Sequence, residues 1–221
     1  MSARVTRLLL AAALLVSPAC FAQYYSYGYD PDALPVRWHV MGGVSVPAGS
    51  TGDILQTGGH VGVGVSFQQP RSPLSLRIDL DYARNNATRE LQNEGSSDTG
   101  LQITGGWADL VSLTANAEFR VPLTPTMHAY LVGGVGGYYT RISLTEYGYG
   151  YVCSPWWNYC YIAGGDYVVD QHDTTKFGWN AGAGLGFRLG NGMQLFVEAR
   201  YNAIQFQQNL TYIPVTVGVR F

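Results

Sequence analysis

Charge is scarce in this sequence: Asp, Glu, Lys and Arg make up 13% of its 221 residues, about half the share of an average soluble domain. Lysine is almost missing, Lys176 standing alone among 13 basic residues. With a net charge of −2 no basic patch exists to neutralise a run of phosphates, so nucleic-acid binding is excluded. Beyond the extreme N-terminus no apolar run is long enough for a membrane-spanning helix, which excludes a helical membrane protein. Cysteine is limited to three residues. What is plentiful is glycine, at 28 residues, and tyrosine, at 16, in a chain that is 47% hydrophobic. Glycine with Tyr, Val and Phe at low charge favours strands over helices, and the length suits one all-β domain.

The N-terminus has the layout of an exported chain. Arg4 and Arg7 precede an apolar stretch from Leu8 to Val16, followed by Ser17, Pro18 and Cys20-Phe21-Ala22, so residues 1–22 read as a signal peptide cleaved before Gln23. A lipoprotein reading through Cys20 is disfavoured because Ser17 stands where that motif usually has leucine. The exported form keeps 11 basic and 15 acidic residues and is mildly acidic. Residues 23–35, rich in Tyr with Pro31 and Pro35, read as an irregular leader before the folded domain of 36–221. Cys153 and Cys160, bracketing Ser-Pro-Trp-Trp-Asn-Tyr, are expected to form a local disulfide in an oxidising compartment. A zinc site would need further ligands that no Cys or His pair supplies, and the spacing is not Cys-x-x-Cys.

From Val36 onward one unit recurs eight times: a stretch of period-two alternation, then a turn. On the third strand Leu74, Leu76, Ile78, Leu80 and Tyr82 alternate with Ser75, Arg77, Asp79, Asp81 and Ala83. On the fourth, Val111 to Val121 alternate with Ser112, Thr114, Asn116, Glu118 and Arg120. The sixth sets Phe177, Trp179 and Leu185 against Asn180, Arg188 and a row of glycines, and the seventh and eighth continue the pattern with Glu198, Arg200 and Arg220 on the polar face. Strands one (36–47), two (59–69) and five (127–141) are richer in glycine and their register is less defined. Connections at 69–73, 122–125 and 190–192 are short, whereas 48–58, 85–106 and 142–174 are long. Short turns at one end and long loops at the other describe an up-and-down meander, and eight such strands close into an antiparallel barrel.

Alternation alone leaves two barrels open, one soluble with an apolar inside and one in a membrane with an apolar outside. The low total charge, strands long enough to cross a bilayer at a tilt, and aromatics near strand ends favour the membrane barrel. Those aromatics include Trp38, Tyr82, Trp107, Tyr138, Tyr139, Trp179, Tyr201, Tyr212 and Phe221. The last strand, Val215-Thr216-Val217-Gly218-Val219-Arg220-Phe221, resembles the terminal assembly signal of bacterial outer-membrane proteins. The stretches Trp38 to Gly49 and Tyr130 to Tyr139 resemble the small eight-stranded OmpA/OmpX-type and opacity-like barrels. The resemblance implies a transmembrane β-barrel in the outer membrane of a Gram-negative bacterium, surrounded by lipid and lipopolysaccharide, inserted by the barrel assembly machinery through a strand ending in Phe221, and monomeric. It implies no particular activity, since such barrels serve as adhesins, anchors, narrow channels and lipid enzymes.

Two groups of residues are candidate sites. The polar faces place Arg77, Asp79, Asp81, Glu118, Arg120, Arg188, Glu198, Arg200 and Arg220 toward the lumen. There they act either as a paired, plug-like core or as the lining of a narrow channel for ions or small solutes. The third long loop carries Tyr147, Tyr149, Tyr151, Trp156, Trp157, Tyr159 and Tyr161 around the cysteine pair. It reads either as a binding surface for an extracellular ligand or as a hairpin extending strands five and six. Catalysis, a cofactor and a metal are not expected. His39, His60, His128 and His172 lie on separate segments without a triad spacing. Where the outer-membrane lipid deacylases place His-x-Ser on the penultimate strand, this chain reads Arg200-Tyr201-Asn202-Ala203-Ile204.

Overall fold

A computed structural model describes residues 36–68, 72–99, 103–154, 159–190, 192–205 and 210–221. The signal peptide and leader, 1–22 and 23–35, lie outside the described residues, as do Trp156 and Trp157. Eight strands close into one barrel in sequence order. They are β1 (Val36–Ala48), β2 (Gly58–Gln68), β3 (Leu74–Asn86), β4 (Ile103–Pro122), β5 (Met127–Ser154), β6 (Tyr159–Gly190), β7 (Met193–Ile204) and β8 (Leu210–Arg220). Every pairing is antiparallel, and β1 closes the ring against β8, with Val40 opposite Val219 and Val44 opposite Val215. Closure removes the free edges that an open sheet would present.

The apolar face points outward. Trp38, Val63, Leu74, Leu76, Leu113, Leu131, Phe177 and Val217 are exposed, while Arg77, Asp79, Glu118 and Arg220 are 0% exposed inside. This is the inverse of a soluble ligand carrier and settles which of the two expected barrels forms. On β3 the outer apolar stretch from Leu74 to Tyr82, tilted as barrel strands are, spans about 20 Å, most of the height of a membrane barrel's apolar band. Two aromatics expected on the outer girdle face inward instead. Tyr138 and Tyr212 are buried with Ala83, Leu110 and Ile204 in an apolar layer near the end with long connections.

Two of the long connections contain helix that the strand pattern does not foretell: α1 (Thr51–Ile54) and α2 (Arg89–Thr99). They are fastened to the rim locally. The Thr51 hydroxyl accepts from the Thr211 amide at 2.9 Å, Leu55 bridges Ala87, and the Thr88 hydroxyl donates to the Asp53 carbonyl at 2.7 Å. Thr88 also accepts from the Leu91 amide at the start of α2, as N-capping hydroxyls do. The third long connection, expected as a loop over 142–174, is strand throughout its described part. β4 stops pairing with β5 at Ile103–Glu146 and β7 stops pairing with β6 at Gly178–Ile204, yet β5 and β6 remain paired to Ser154–Tyr159. A two-stranded ribbon therefore stands beyond the ring.

The glycine row on β6 has a packing cause. A Cβ at Gly178 would overlap the Tyr138 ring, at Gly182 Arg200, at Gly184 the Tyr130 ring and at Gly186 the His128 imidazole. The bare backbone of β6 is the groove that receives large inward side chains of β5 and β7. Replacing Gly184 by Val overpacks this groove and is expected to lower unfolding free energy by about 1–3 kcal/mol. Urea unfolding of the refolded barrel in micelles, followed by tryptophan fluorescence, checks this, and an unchanged midpoint would contradict it.

Candidate functional site

Strands β3, β4, β7 and β8 each deliver alternate side chains to one level of the lumen, and their charges meet there. The Arg77 guanidinium lies at the centre, with Nε donating to Asp79 Oδ1 at 2.8 Å and Nη1 to Glu198 Oε2 at 2.7 Å. The same Nη1 is 3.6 Å from Glu118 Oε2. Arg200 donates to Asp79 Oδ2 at 3.0 Å and to Glu198. Glu118 accepts from Arg220 Nη2 at 2.9 Å and from Arg120 Nε at 2.5 Å. Asp79 is saturated further by His39 Nε2 at 2.8 Å and Asn116 Nδ2 at 3.0 Å. The Phe196 ring lies between Arg77 and Arg220, whose guanidinium carbons are 5.4 and 5.3 Å from its centroid. These buried charges are paired and multiply hydrogen-bonded, the condition under which they persist away from water.

Seven of the nine charges expected in the lumen form this network. Asp81 lies one pleat toward the end with long connections, beside a cavity of about 20 Å³ that it lines with His60, Arg200, Asn202 and Tyr212. Arg188 is exposed at the opposite mouth. Other participants were not foreseen: His39 and Met41 from β1, Tyr130 from β5 and Phe196 from β7. For Phe196 the signal was present, since it alternates in phase with Glu198 and Arg200. For β1 and β5 paired glycines on both faces hid the phase.

The ribbon places Tyr147, Tyr149 and Tyr151 at alternate positions of one face, opposite Asp166, Gly164 and Ile162, with the Cys153–Cys160 pair next along the same face. A disulfide joins those cysteines. Tyr147 and Tyr149 are exposed and pack edge to face with centroids 5.5 Å apart. Tyr147 lies against Gly164, and Tyr167 covers Gly148 from the other face. Tyr159 and Tyr161 occupy strand positions near the tip. Between Leu144 and Thr145 the register shifts, leaving Val169 unopposed as a bulge.

At the upper edge of the apolar band the outer surface carries two similar polar clusters. In one, Asp109 accepts from Arg84 Nε and Tyr82 Oη at 2.6 Å each and from Trp107 Nε1 at 3.1 Å. In the other, Arg141 Nη2 donates to Tyr139 Oη at 2.7 Å beside Asp173. An aromatic with an Arg–Asp partner suits the boundary between hydrocarbon and headgroups.

A closed eight-stranded ring with lipid-compatible exterior and charged interior defines the class of transmembrane β-barrels. Residues 8–221 match the outer membrane protein beta-barrel domain family, and the chain belongs to it. Among solved structures it is similar to Neisserial surface protein A, at 14% identity and TM-score 0.53, covering 85% of this chain and 96% of that one. It is also similar to a major outer membrane protein from Thermus thermophilus, at 12% identity and TM-score 0.54, covering 84% and 98%. At these identities the likeness is one of fold. No curated protein matches the chain in sequence. The protein is thus a barrel of the Gram-negative outer membrane, with the short turns facing the periplasm and the long connections facing outward.

Replacing Glu118 by Leu strands Arg220 and Arg120 without their carboxylate and is expected to cost about 3–5 kcal/mol, whereas Glu118→Leu with Arg220→Leu costs less. Urea unfolding of single and double variants in micelles tests this; a double variant less stable than either single would contradict it. Planar bilayers holding the wild-type protein are expected to remain electrically quiet, and reproducible conductance steps would show an open lumen.

Proposed function

We propose that this barrel is a non-catalytic surface-interaction protein whose working part is the ribbon formed by the outer halves of β5 and β6. The observation that supports this best is the continuation of β5–β6 pairing past the ring, to Ser154–Tyr159, with Tyr147, Tyr149 and Tyr167 exposed on it. Tyrosine offers large, amphipathic contact area with few rotatable bonds, and a staple at the tip lowers the entropy lost when a partner is bound. Glu146, Asp166, Asp170 and Asp173 make the ribbon acidic, so a partner with basic groups beside apolar ones is the best match. The lumen network serves as a structural plug in this reading, which leaves the narrow-channel alternative without a path through the Arg77 level. Lipid and lipopolysaccharide surround the outer band, and the strand ending in Phe221 is the segment offered to the assembly machinery.

Trimming residues 147–167 to an Asn-Gly turn separates ribbon from barrel. Cells displaying the trimmed barrel are expected to lose the retention that cells with the full chain show on a surface coated with an arginine- and leucine-rich peptide, while the purified barrel keeps its heat-dependent gel mobility. Equal retention by both would overturn the proposal.

A further inference from the structure

The periplasmic mouth of the lumen holds a pocket that neither the plug nor the ribbon accounts for. Its volume is about 220 Å³, and Arg37, Gln68, Arg120, His128, Arg188 and Gln194 line it, with no carboxylate among the described lining residues. A continuous arc of side chains builds its floor. Arg120 Nη1 donates to Gln68 Oε1 at 2.6 Å and its Nε to Glu118. Arg220 bridges Glu118 to Gln194 Oε1 at 3.3 Å, and Gln194 Nε2 lies 3.4 Å from the His128 ring. Glu118 is wholly buried behind this arc and already held by Arg120 and Arg220. A strong donor is left over on the arc: Arg120 is 8% exposed, and its Nη2 is buried without a hydrogen-bond partner. A buried guanidinium nitrogen without an acceptor is costly, and in a site lined by three arginines its natural complement is an anion with several oxygens.

We propose that this pocket binds one phosphate-class oxyanion from the periplasmic side, supplied either by free phosphate and phosphomonoesters or by a phospholipid headgroup, with Arg120 as the inner ligand and Arg188 at the rim. Tetrahedral oxyanions present acceptors to several guanidinium forks at once. The remaining pocket donors, on Gln194 and His128, orient the anion without adding charge.

Titration calorimetry of the refolded mature chain in maltoside micelles, with inorganic phosphate at low salt, tests this. One site per barrel is expected, weakened by about tenfold or more in Arg120→Gln and by a smaller factor in Arg188→Gln. Doping the micelles with phosphatidylglycerol separates the sources: displacement of phosphate assigns the site to a lipid headgroup, and unaltered phosphate binding assigns it to the free anion. Should Arg120→Gln fail to give the folded, heat-modifiable band, Arg188→Gln carries the test alone, since that residue is exposed at the rim. No phosphate binding by the wild type, or binding that neither substitution weakens, would overturn the proposal.

Discussion

A sheet immersed in hydrocarbon has to bond every backbone amide to itself, and that constraint organises the rest of this structure. Closure of β1 onto β8 meets it, but a ring of eight strands encloses only enough space for side chains. The outer surface has to be apolar, so whatever charge the strands carry must turn inward, out of reach of bulk water. The low charge content and its concentration on alternate positions are two expressions of the same requirement. Each inward charge then needs a partner from another strand, which is why Arg77 of β3 reaches Glu198 of β7, and Arg220 of β8 reaches Glu118 of β4.

These long-range pairs also fix register. A slip of one residue on any strand would turn its apolar set into the lumen and its charges into lipid. A slip of two would keep the faces but separate Glu118 from Arg220, or Asp79 from Arg200. The network thus selects among registers that alternation alone cannot distinguish. The groove along β6 adds a steric element to the same selection, because His128 and Tyr130 fit only with Gly186 and Gly184 opposite, and Tyr138, opposite Lys176, fits only with its ring over the neighbouring Gly178.

The sequence carried the barrel clearly where the strands are regular. β3, β4, β7 and β8 alternate without interruption, and seven of the charges read as luminal from them meet in one network. It was less legible where Gly42-Gly43, Gly133-Gly134 and Gly136-Gly137 place small residues on both faces and erase the phase. His39, Met41 and Tyr130 were missed for that reason. Tyr138 and Tyr212 misled because a tyrosine near a strand end fits a membrane girdle and a capped lumen equally well; only the pairing register decides between them. The ribbon was ambiguous because its composition, Tyr with Gly and Asp, suits a loop as well as a strand. What resolves it is cross-strand complementarity, Tyr147 lying against Gly164 and Tyr167 against Gly148, which only a pairing scheme reveals.

The central claim is the orientation of the two faces, and a nitroxide scan along β4 from Val111 to Val121 in bilayers tests it most directly. Oxygen accessibility is expected to peak at Val111, Leu113, Ala115, Ala117 and Phe119 and to fall at the positions between. An accessibility wave of the opposite phase, with Thr114, Asn116 and Glu118 facing lipid, would contradict the account.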